Sequence, residues 1–320
     1  MYLSYPFLVL FFRVYDREDQ QECQTLKSSV LIDEIEQDLH SLLNYQETHH
    51  YIFQVFPELT YFLQTNVLPV VGDWPTWYFH KKIVCHNPEA VSMVPELGQF
   101  HVYLNGNEDV IVRYHTIFNE IYKAVFHQRK NLPEKPKPDK ITLCITLAFA
   151  GWLQVRDHVI NAFGECKDVE YACLYHLFDE LIPLNFMHYP VTVKGGNFNH
   201  IQEAMKHLSL MFIAMDRHHY NKAAMSWISD TKYQRNTFPE YFQAKQDLCS
   251  VITEKKVETF HSKLRSRISK NDKAPKIQET ARLLARSNFE NNFFEQDYIN
   301  GYQRGISDQN LLLLTGNNGF

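Results

Sequence analysis

The sequence contains little glycine and proline, 11 and 13 of its 320 residues. All-β sandwiches need many tight turns, so this composition disfavours them, and long stretches of apolar residues at helical spacing predict a mostly helical protein. The sequence also lacks an apolar run of the roughly 20 residues that a membrane-spanning helix needs. The interior run at 141–155 has only fifteen. We therefore expect a mostly α protein with a small β-sheet that does not act at a membrane.

The six cysteines form no CxxC pair and show no other spacing typical of a metal site. Reduced thiols in an intracellular protein are the simplest interpretation, and a structural zinc site is not expected. The sequence also lacks GxSxG, P-loop, dinucleotide-binding and HExxH motifs. These absences argue against hydrolases, NTPases and dehydrogenases, and no small-molecule substrate is indicated.

The net charge of −5 is small, but the charge is unevenly distributed along the chain. Residues 1–60 carry ten acids and three bases, whereas residues 254–286 carry ten bases and four acids. A contact with a polyanion is therefore expected in the C-terminal part of the chain.

Local patterns predict two short strands followed by many helices. An acidic amphipathic helix is predicted at 28–45, and VLPVV at 67–71 predicts a buried strand that stops at Gly72. A helix at 74–86 and a second strand, FHVYL at 100–104, follow. Further helices are predicted at 108–127, 140–163, 168–188, 198–228 and 239–248, then a basic helix at 253–269, a break at 271–275 and another helix to about residue 286.

Asp73 follows the first predicted strand in the order strand, glycine, aspartate, tryptophan. A carboxylate at the carboxyl end of a buried strand is a common metal ligand, because the strand holds it while the turn leaves room for the ion. Alternatively, Asp73 caps the next helix, because an aspartate in that position accepts a hydrogen bond from the first helical N–H groups. The sequence is compatible with both interpretations.

The basic helix predicted at 253–269 carries the second set of candidate residues. Phosphate chemistry with two divalent metals needs carboxylates from separate segments and cations that hold the phosphates, and this helix supplies both. The alternative is an exposed helix stabilised by ion pairs between its Glu and Lys side chains. The residues that share one helical face, at spacings of four, three and four, are Glu254, Glu258, His261 and Arg265.

The polar segment DRHHYNKA, residues 216–223, contains adjacent histidines. On a helix, His218 and His219 would point about 100° apart and could not both face one ion. Helical metal pairs use a spacing of four instead. A structural role, or contacts with phosphate that include Lys222, is therefore preferred to metal binding.

A further polar segment, LGQFHVYLNGNED, covers residues 97–109. If FHVYL is a strand, His101 shares one of its faces with Tyr103. Capping of the following helix then accounts for Asn105 or Asn107 without a functional role.

Four segments, in this order, resemble a group of uncharacterised proteins of invertebrates and fungi that derive from DNA transposons. The resemblance spans about residues 60–290, and no one segment is diagnostic alone. Such proteins are similar to cut-and-paste transposases with an RNase H-like core, in which a helical insertion separates the last catalytic acid from the strands. The segments are GDWPTWYFHKK (72–82), ELGQFHVYLNGNED (96–109), RHHYNKA (217–223) and VETFHSKLRSR (257–267).

The resemblance implies a mostly α fold with a small sheet, namely a partial RNase H-like core interrupted by a large helical insertion. The implied parts are an acidic N-terminal segment (1–60), the strands of the core (61–106), the helical insertion (107–250), the returning basic helices (251–290) and a C-terminal tail (291–320).

Under this resemblance Asp73 and Glu258 are the catalytic and metal-binding acids. Glu254 is the second choice for the role given to Glu258. Their carboxylates are expected on the order of 4–8 Å apart around Mg²⁺ or Mn²⁺. The implied chemistry is activation of water, then of a DNA 3′-hydroxyl, for in-line attack on a phosphodiester. DNA is the implied partner and the nucleus the implied location. The implied nucleic-acid-binding residues are His261, Lys263, Arg265, Arg267 and Lys222.

The chain departs from a complete transposase before Asp73. An RNase H-like core begins with a strand that bears the first aspartate, followed by two more strands, and here only Asp16 follows a plausible strand. We therefore interpret the chain as a truncated or decayed copy, a degenerate transposase or nuclease. Two alternatives are kept: a noncatalytic nucleic-acid-binding protein that uses residues 254–286, and a helical interaction protein with no nucleic-acid role.

Overall fold

The computed structural model describes residues 39–87, 90–126, 130–194, 197–247, 253–269 and 271–291. The structure is 78% helical, and its described residues form one two-stranded parallel sheet. The predicted fold class, mostly α with a small sheet, is confirmed. Among the described helices, none has the length and apolar character needed to cross a membrane.

Strands alternate with a helix only between residues 68 and 97, and the described elements on either side of this segment are helical. The strands are β1 (Leu68–Gly72) and β2 (Met93–Leu97). Two π-helical segments, Leu177–Leu181 and Pro183–His188, follow α7. The α-helices of the described ranges are α1 (Leu42–Val55), α2 (Glu58–Thr65), α3 (Trp74–His86), α4 (Gln99–Arg113), α5 (His115–Val125), α6 (Pro138–Phe163), α7 (Val169–His176), α8 (Tyr189–Lys194), α9 (Phe198–Ala214), α10 (Tyr220–Thr237), α11 (Pro239–Asp247), α12 (Thr253–Arg267) and α13 (Ala274–Asn291).

A parallel strand–helix–strand unit forms the sheet. β1 and β2 pair in a register that sets Gly72 opposite Leu97, and α3 connects the strands and packs on both. α3 begins after Asp73, whose side chain caps it. Pro75 occupies the first turn, where a missing N–H costs nothing. The predicted first strand and the predicted helix at 74–86 are therefore confirmed. The expectation that this strand is buried is wrong, because its residues alternate between partly buried and exposed.

An apolar cluster holds this unit together. A Leu, Ile or Met side chain contributes about 1.5–3 kcal/mol when it is fully buried. Helices α1, α2 and α3 and strand β2 all contribute to the cluster, so the sheet is stabilised by the helices that pack around it. The buried members of the cluster are Tyr45, Leu63, Ile83, Ala90 and Met93.

The second strand was predicted in the wrong segment. FHVYL at 100–104 lies inside α4, and the strand is the preceding segment MVPEL, 93–97. Aromatic and β-branched residues favoured a strand at 100–104, but Val102, Gly106 and Val110 recur every four positions and form a buried helical side.

Pro95 disfavoured a strand at 93–97, yet β2 tolerates it. In the described sheet β2 pairs with β1 alone. The amide of Gly98 donates to the carbonyl of Gly72 at 2.8 Å. Because successive residues of a strand face opposite ways, the nitrogen of Pro95 points away from β1 and no ladder hydrogen bond is lost.

Helix boundaries differ from prediction where the backbone departs from a regular α-helix. The helix predicted at 108–127 is divided between α4 and α5, and the helix predicted at 168–188 continues from α7 into π-helical turns. The helix predicted at 198–228 is interrupted between α9 and α10, where Asp216 adopts a left-handed φ of 53°.

Other predicted helices agree more closely with the structure. The helices predicted at 140–163, 239–248 and 253–269 correspond to α6, α11 and α12. Of the helix predicted at 28–45, residues 28–38 lie outside the described ranges, and α1 begins at Leu42 after a Ser41 cap. The candidate first aspartate, Asp16, also lies outside them.

The described chain divides into two compact units. Residues 101–232 form the helical unit, and residues 39–100 and 233–291 form the sheet unit. The chain therefore leaves the sheet unit after β2 and returns to it within α10.

In the helical unit, α4 passes very close to the second π-helical segment at Gly106. A Cβ atom at this position would lie 2.3 Å from Oδ1 of the buried Asn185. Nδ2 of Asn185 donates to the carbonyl of Leu181 at 3.0 Å, so the amide is held in place. Only a glycine allows this approach.

We expect Gly106→Ala to destabilise the protein by about 1–3 kcal/mol, because the added methyl overpacks a rigid contact. Gly151→Ala in α6 is the matched control, since a Cβ there meets no atom within 4 Å. Alanine is the better helix former by about 0.5–1 kcal/mol, so this variant should gain stability. Urea unfolding measures both changes, and equal effects would contradict the close packing at Gly106.

Candidate functional site

Asp73 lies at the carboxyl end of β1 and is half-buried. Its Oδ1 accepts a hydrogen bond from the backbone N–H of Thr76 at 3.1 Å, so the capping interpretation is confirmed. The turn is tight, because a Cβ on Gly72 would come within 2.6 Å of the Thr76 side chain. The carboxylate is therefore held by the strand before it and by the helix after it.

Helix α1 contacts the first turns of α3, next to this turn. The hydroxyl of Tyr45 is 3.4 Å from Oγ1 of Thr76, and its ring stacks on Phe79 at 5.0 Å between centroids. One turn further along each helix, Nε2 of His49 is 3.0 Å from Nδ1 of the buried His80. Burial, together with the nearby His49, lowers the pKa of His80 to about 4.

This histidine pair predicts that the sheet unit is sensitive to acid. The folded pKa of His80, about 4, lies below its ordinary value of 6.5, so the unfolded state takes up the proton first. Stability that is present above pH 6.5 is therefore lost as the pH falls toward 4, by about 2 kcal/mol at pH 5. Hydrogen exchange of α1 and α3, corrected for intrinsic rates, should show this loss of protection.

His80→Gln should weaken this acid response, whereas His50→Gln should preserve it. His50 lies on the exposed side of α1 and contacts Gln54 on the same helix. An undiminished acid response in His80→Gln would refute the assignment.

Glu258 lies on α12, which packs on α13. Phe260 and Leu264 of α12 form the buried side of that contact, with Ala281 and Leu284 opposite. Helical spacing sets Glu258, His261 and Arg265 on a different side of α12. Glu258 and His261 are partly buried, and Arg265 is exposed.

The other predicted residues are more dispersed. On α12, Lys263 is partly buried and Arg267 is exposed, while Glu254 belongs to the helix without a described side chain. Lys222 is exposed on α10 in the helical unit. Asp73 and Glu258 both belong to the sheet unit. The described residues contain no group of three or more His, Cys, Asp or Glu side chains suited to a metal ion.

A buried carboxylate, Glu96 on β2, is the centre of a polar cluster in the sheet unit. Nζ of Lys245 lies 2.7 Å from both of its carboxylate oxygens, and the hydroxyl of Tyr241 donates to Oε1 at 2.5 Å. Nζ of Lys245 also donates to Oε1 of the buried Gln234 at 2.8 Å. Burial and the Glu96 charge raise the pKa of Tyr241, so its hydroxyl keeps the donated proton. This contact ties α11 to the sheet.

The sequence analysis did not single out this cluster. The one local signal is a glutamate inside the otherwise apolar MVPEL, since a buried carboxylate requires a partner. Nothing local distinguishes Lys245 or Tyr241 as that partner, because they lie 149 and 145 residues later.

We expect Lys245→Met to destabilise the protein by about 3–5 kcal/mol, because it leaves Glu96 buried without its cation. Adding Glu96→Gln should recover part of the loss, since the two residues are in contact. Lys206→Met is the control: its pair with Glu203 is solvent-exposed and should contribute less than about 1 kcal/mol. Urea unfolding distinguishes the cases, and a loss under about 1 kcal/mol for Lys245→Met would rule out this role.

In the helical unit, Arg217 brings together the two polar segments that the sequence analysis treated separately. Its Nη2 donates to Asn105 Oδ1 at 2.6 Å and to Glu108 Oε2 at 2.7 Å, and its Nη1 lies 2.9 Å from Asp109 Oδ1. The predicted capping roles of Asn105 and Asn107 are wrong, because both lie within α4.

The expectation that His101 and Tyr103 share a strand face is also wrong, since both lie on α4. His218 and His219 lie in the turn before α10, with ring centroids 4.9 Å apart. They belong to no group of three or more His, Cys, Asp or Glu side chains suited to a metal ion among the described residues.

Comparison of the chain with protein-family models, with curated proteins and with solved structures gives no match.

Proposed function

We propose that the chain is related to RNase H-like DNA transposases, with Asp73 and Glu258 as acids of a metal-dependent site for DNA strand cleavage and transfer. The observation that carries this proposal is the return of the chain to the sheet unit. The polypeptide leaves the sheet unit after β2, forms the helical unit and returns within α10. Lys245 of the returning segment then contacts Glu96 on β2. Glu258 follows thirteen residues after Lys245.

Two further features support the proposal. The strand–helix–strand unit is parallel, and the carboxyl ends of parallel strands are where α/β folds hold ligands. The long helical segment also lies between the two acids, as the resemblance implies, and forms its own compact unit.

The donor chemistry suits a hard divalent cation. Carboxylate oxygens are preferred by Mg²⁺ and Mn²⁺. Oδ1 of Asp73 accepts the hydrogen bond of the helix cap, and this bond fixes the direction of the carboxylate. Asp73 and Glu258 would hold the ion, and His261 and Arg265, on the same side of α12 as Glu258, would hold the scissile phosphate. The bound ion would lower the pKa of an attacking water and stabilise charge on the phosphate.

A noncatalytic nucleic-acid-binding role is the second candidate. The exposed Arg265 and Arg267 on α12 favour it, because cations on one helix can contact a phosphate backbone without any metal. Binding of DNA that falls steeply with salt and is unaffected by EDTA or by Asp73→Asn would support this role.

The metal site is tested by Mn²⁺ binding to the full chain. We expect micromolar binding to wild type that is lost in Asp73→Asn and in Glu258→Gln, because each change removes a charged ligand. A matched cap control is Asp168→Asn, since Asp168 caps α7 with the same geometry, 3.0 Å from the N–H of Tyr171. Asparagine caps as well as aspartate, so neither cap variant should lose helix stability.

Glu279→Gln serves as the control for Glu258→Gln, because Glu279 is an exposed acid on the adjacent α13. Retention of Mn²⁺ binding by both Asp73→Asn and Glu258→Gln would refute the proposed site.

A further inference from the structure

The turn between α9 and α10 has a defined geometry that aims Arg217 at α4. Asp216 takes the left-handed position in which helix-ending turns usually carry glycine. Its N–H donates to Ile213 O at 3.1 Å, and the N–H of Arg217 donates to Phe212 O at 2.9 Å. These are the two hydrogen bonds of a Schellman motif, so the backbone before Arg217 is fixed.

The charges around Arg217 do not balance. One guanidinium faces two carboxylates, those of Glu108 and Asp109. The side chains of Arg217 and Glu108 are 34% and 30% exposed, whereas that of Asp109 is only 7% exposed. Water can therefore stabilise the charge on Glu108 but not the charge on Asp109.

The second oxygen of Asp109 is the unusual atom of this cluster. Its Oδ2 is fully buried and accepts no hydrogen bond, while Oδ1 contacts Arg217. A buried acceptor without a donor costs about 1–3 kcal/mol, and more when the group is charged. A proton on Oδ2 removes the charge and leaves the Arg217 contact to Oδ1 intact.

The groups acting on this carboxyl favour the protonated form near neutral pH. Burial raises the pKa of Asp109 to about 7, the attraction of Arg217 opposes the rise, and the repulsion of Glu108 adds to it. Arg217 offsets the burial incompletely because Glu108 and Asn105 also occupy its nitrogens.

We propose that Asp109 and Arg217 form a proton-operated latch, in which a proton on Asp109 keeps the α9–α10 turn closed on α4 and its loss above neutral pH loosens that turn. The segment released would be the one that carries His218, His219 and Lys222. The latch belongs to the helical unit and does not depend on a metal site at Asp73.

The sign of the effect follows from linkage. The folded-state pKa of Asp109 lies above its ordinary value of 3.8. Stability that is fully present below about pH 4 is therefore lost as the pH rises through about 7. The helical unit should thus be less stable in base, opposite to the acid response expected for the sheet unit.

Hydrogen exchange of amides 209–224, corrected for intrinsic rates, tests the latch in the full chain. In wild type, protection should be about tenfold lower at pH 8 than at pH 6. Asp109→Asn imitates the protonated side chain and should show equal protection at both values. Glu108→Gln should move the transition to lower pH, because it removes a repelling charge.

The same pH dependence in Asp109→Asn as in wild type, or a loss of its protection at pH 6, would overturn the proposal. If Asp109→Asn does not fold, carboxyl ¹³C NMR titration of wild type decides the question. A pKa near 7 for Asp109 supports the latch, and one below about 5 refutes it.

Discussion

The buried ion pair between Glu96 and Lys245 determines how the separated parts of the sheet unit come together. A carboxylate inside an apolar strand costs several kcal/mol unless a cation reaches it, and here that cation lies 149 residues later. Because Tyr241 and Gln234 complete the cluster, the oxygens of Glu96 and the ammonium of Lys245 find partners within it. The position of α11 relative to the sheet follows from this requirement.

Local signals were sufficient for the elements around Asp73. A β-branched run, a glycine, an aspartate and a proline in the first helical turn specify a strand, a turn and a capped helix through nearest-neighbour effects alone. The same local reasoning failed at residues 93–104. Pro95 argued against the strand that forms there, and the aromatic residues of FHVYL favoured a strand where α4 begins. There the pairing of β2 with β1 alone in the described sheet, and the burial of Gly106, outweighed local propensity.

Contacts between distant residues could not be predicted from one sequence. Nothing in RHHYNKA specifies that Arg217 reaches Glu108, 109 residues away, although both segments were singled out as polar. The two units also respond to protons through different chemistry. A neutral histidine is buried in the sheet unit and an excess carboxylate in the helical unit, so we expect acid to weaken the first and base to weaken the second.

We propose that Asp73 and Glu258 hold one divalent ion. Fe²⁺ substituted for Mg²⁺ and treated with ascorbate and peroxide generates hydroxyl radicals at the bound ion, and mass spectrometry then locates the cuts in the chain. We predict two clusters of cuts, one beside Asp73 at the end of β1 and one beside Glu258 on α12, both suppressed by excess Mg²⁺. Cuts confined to one of these segments, or found only elsewhere, would contradict the claim.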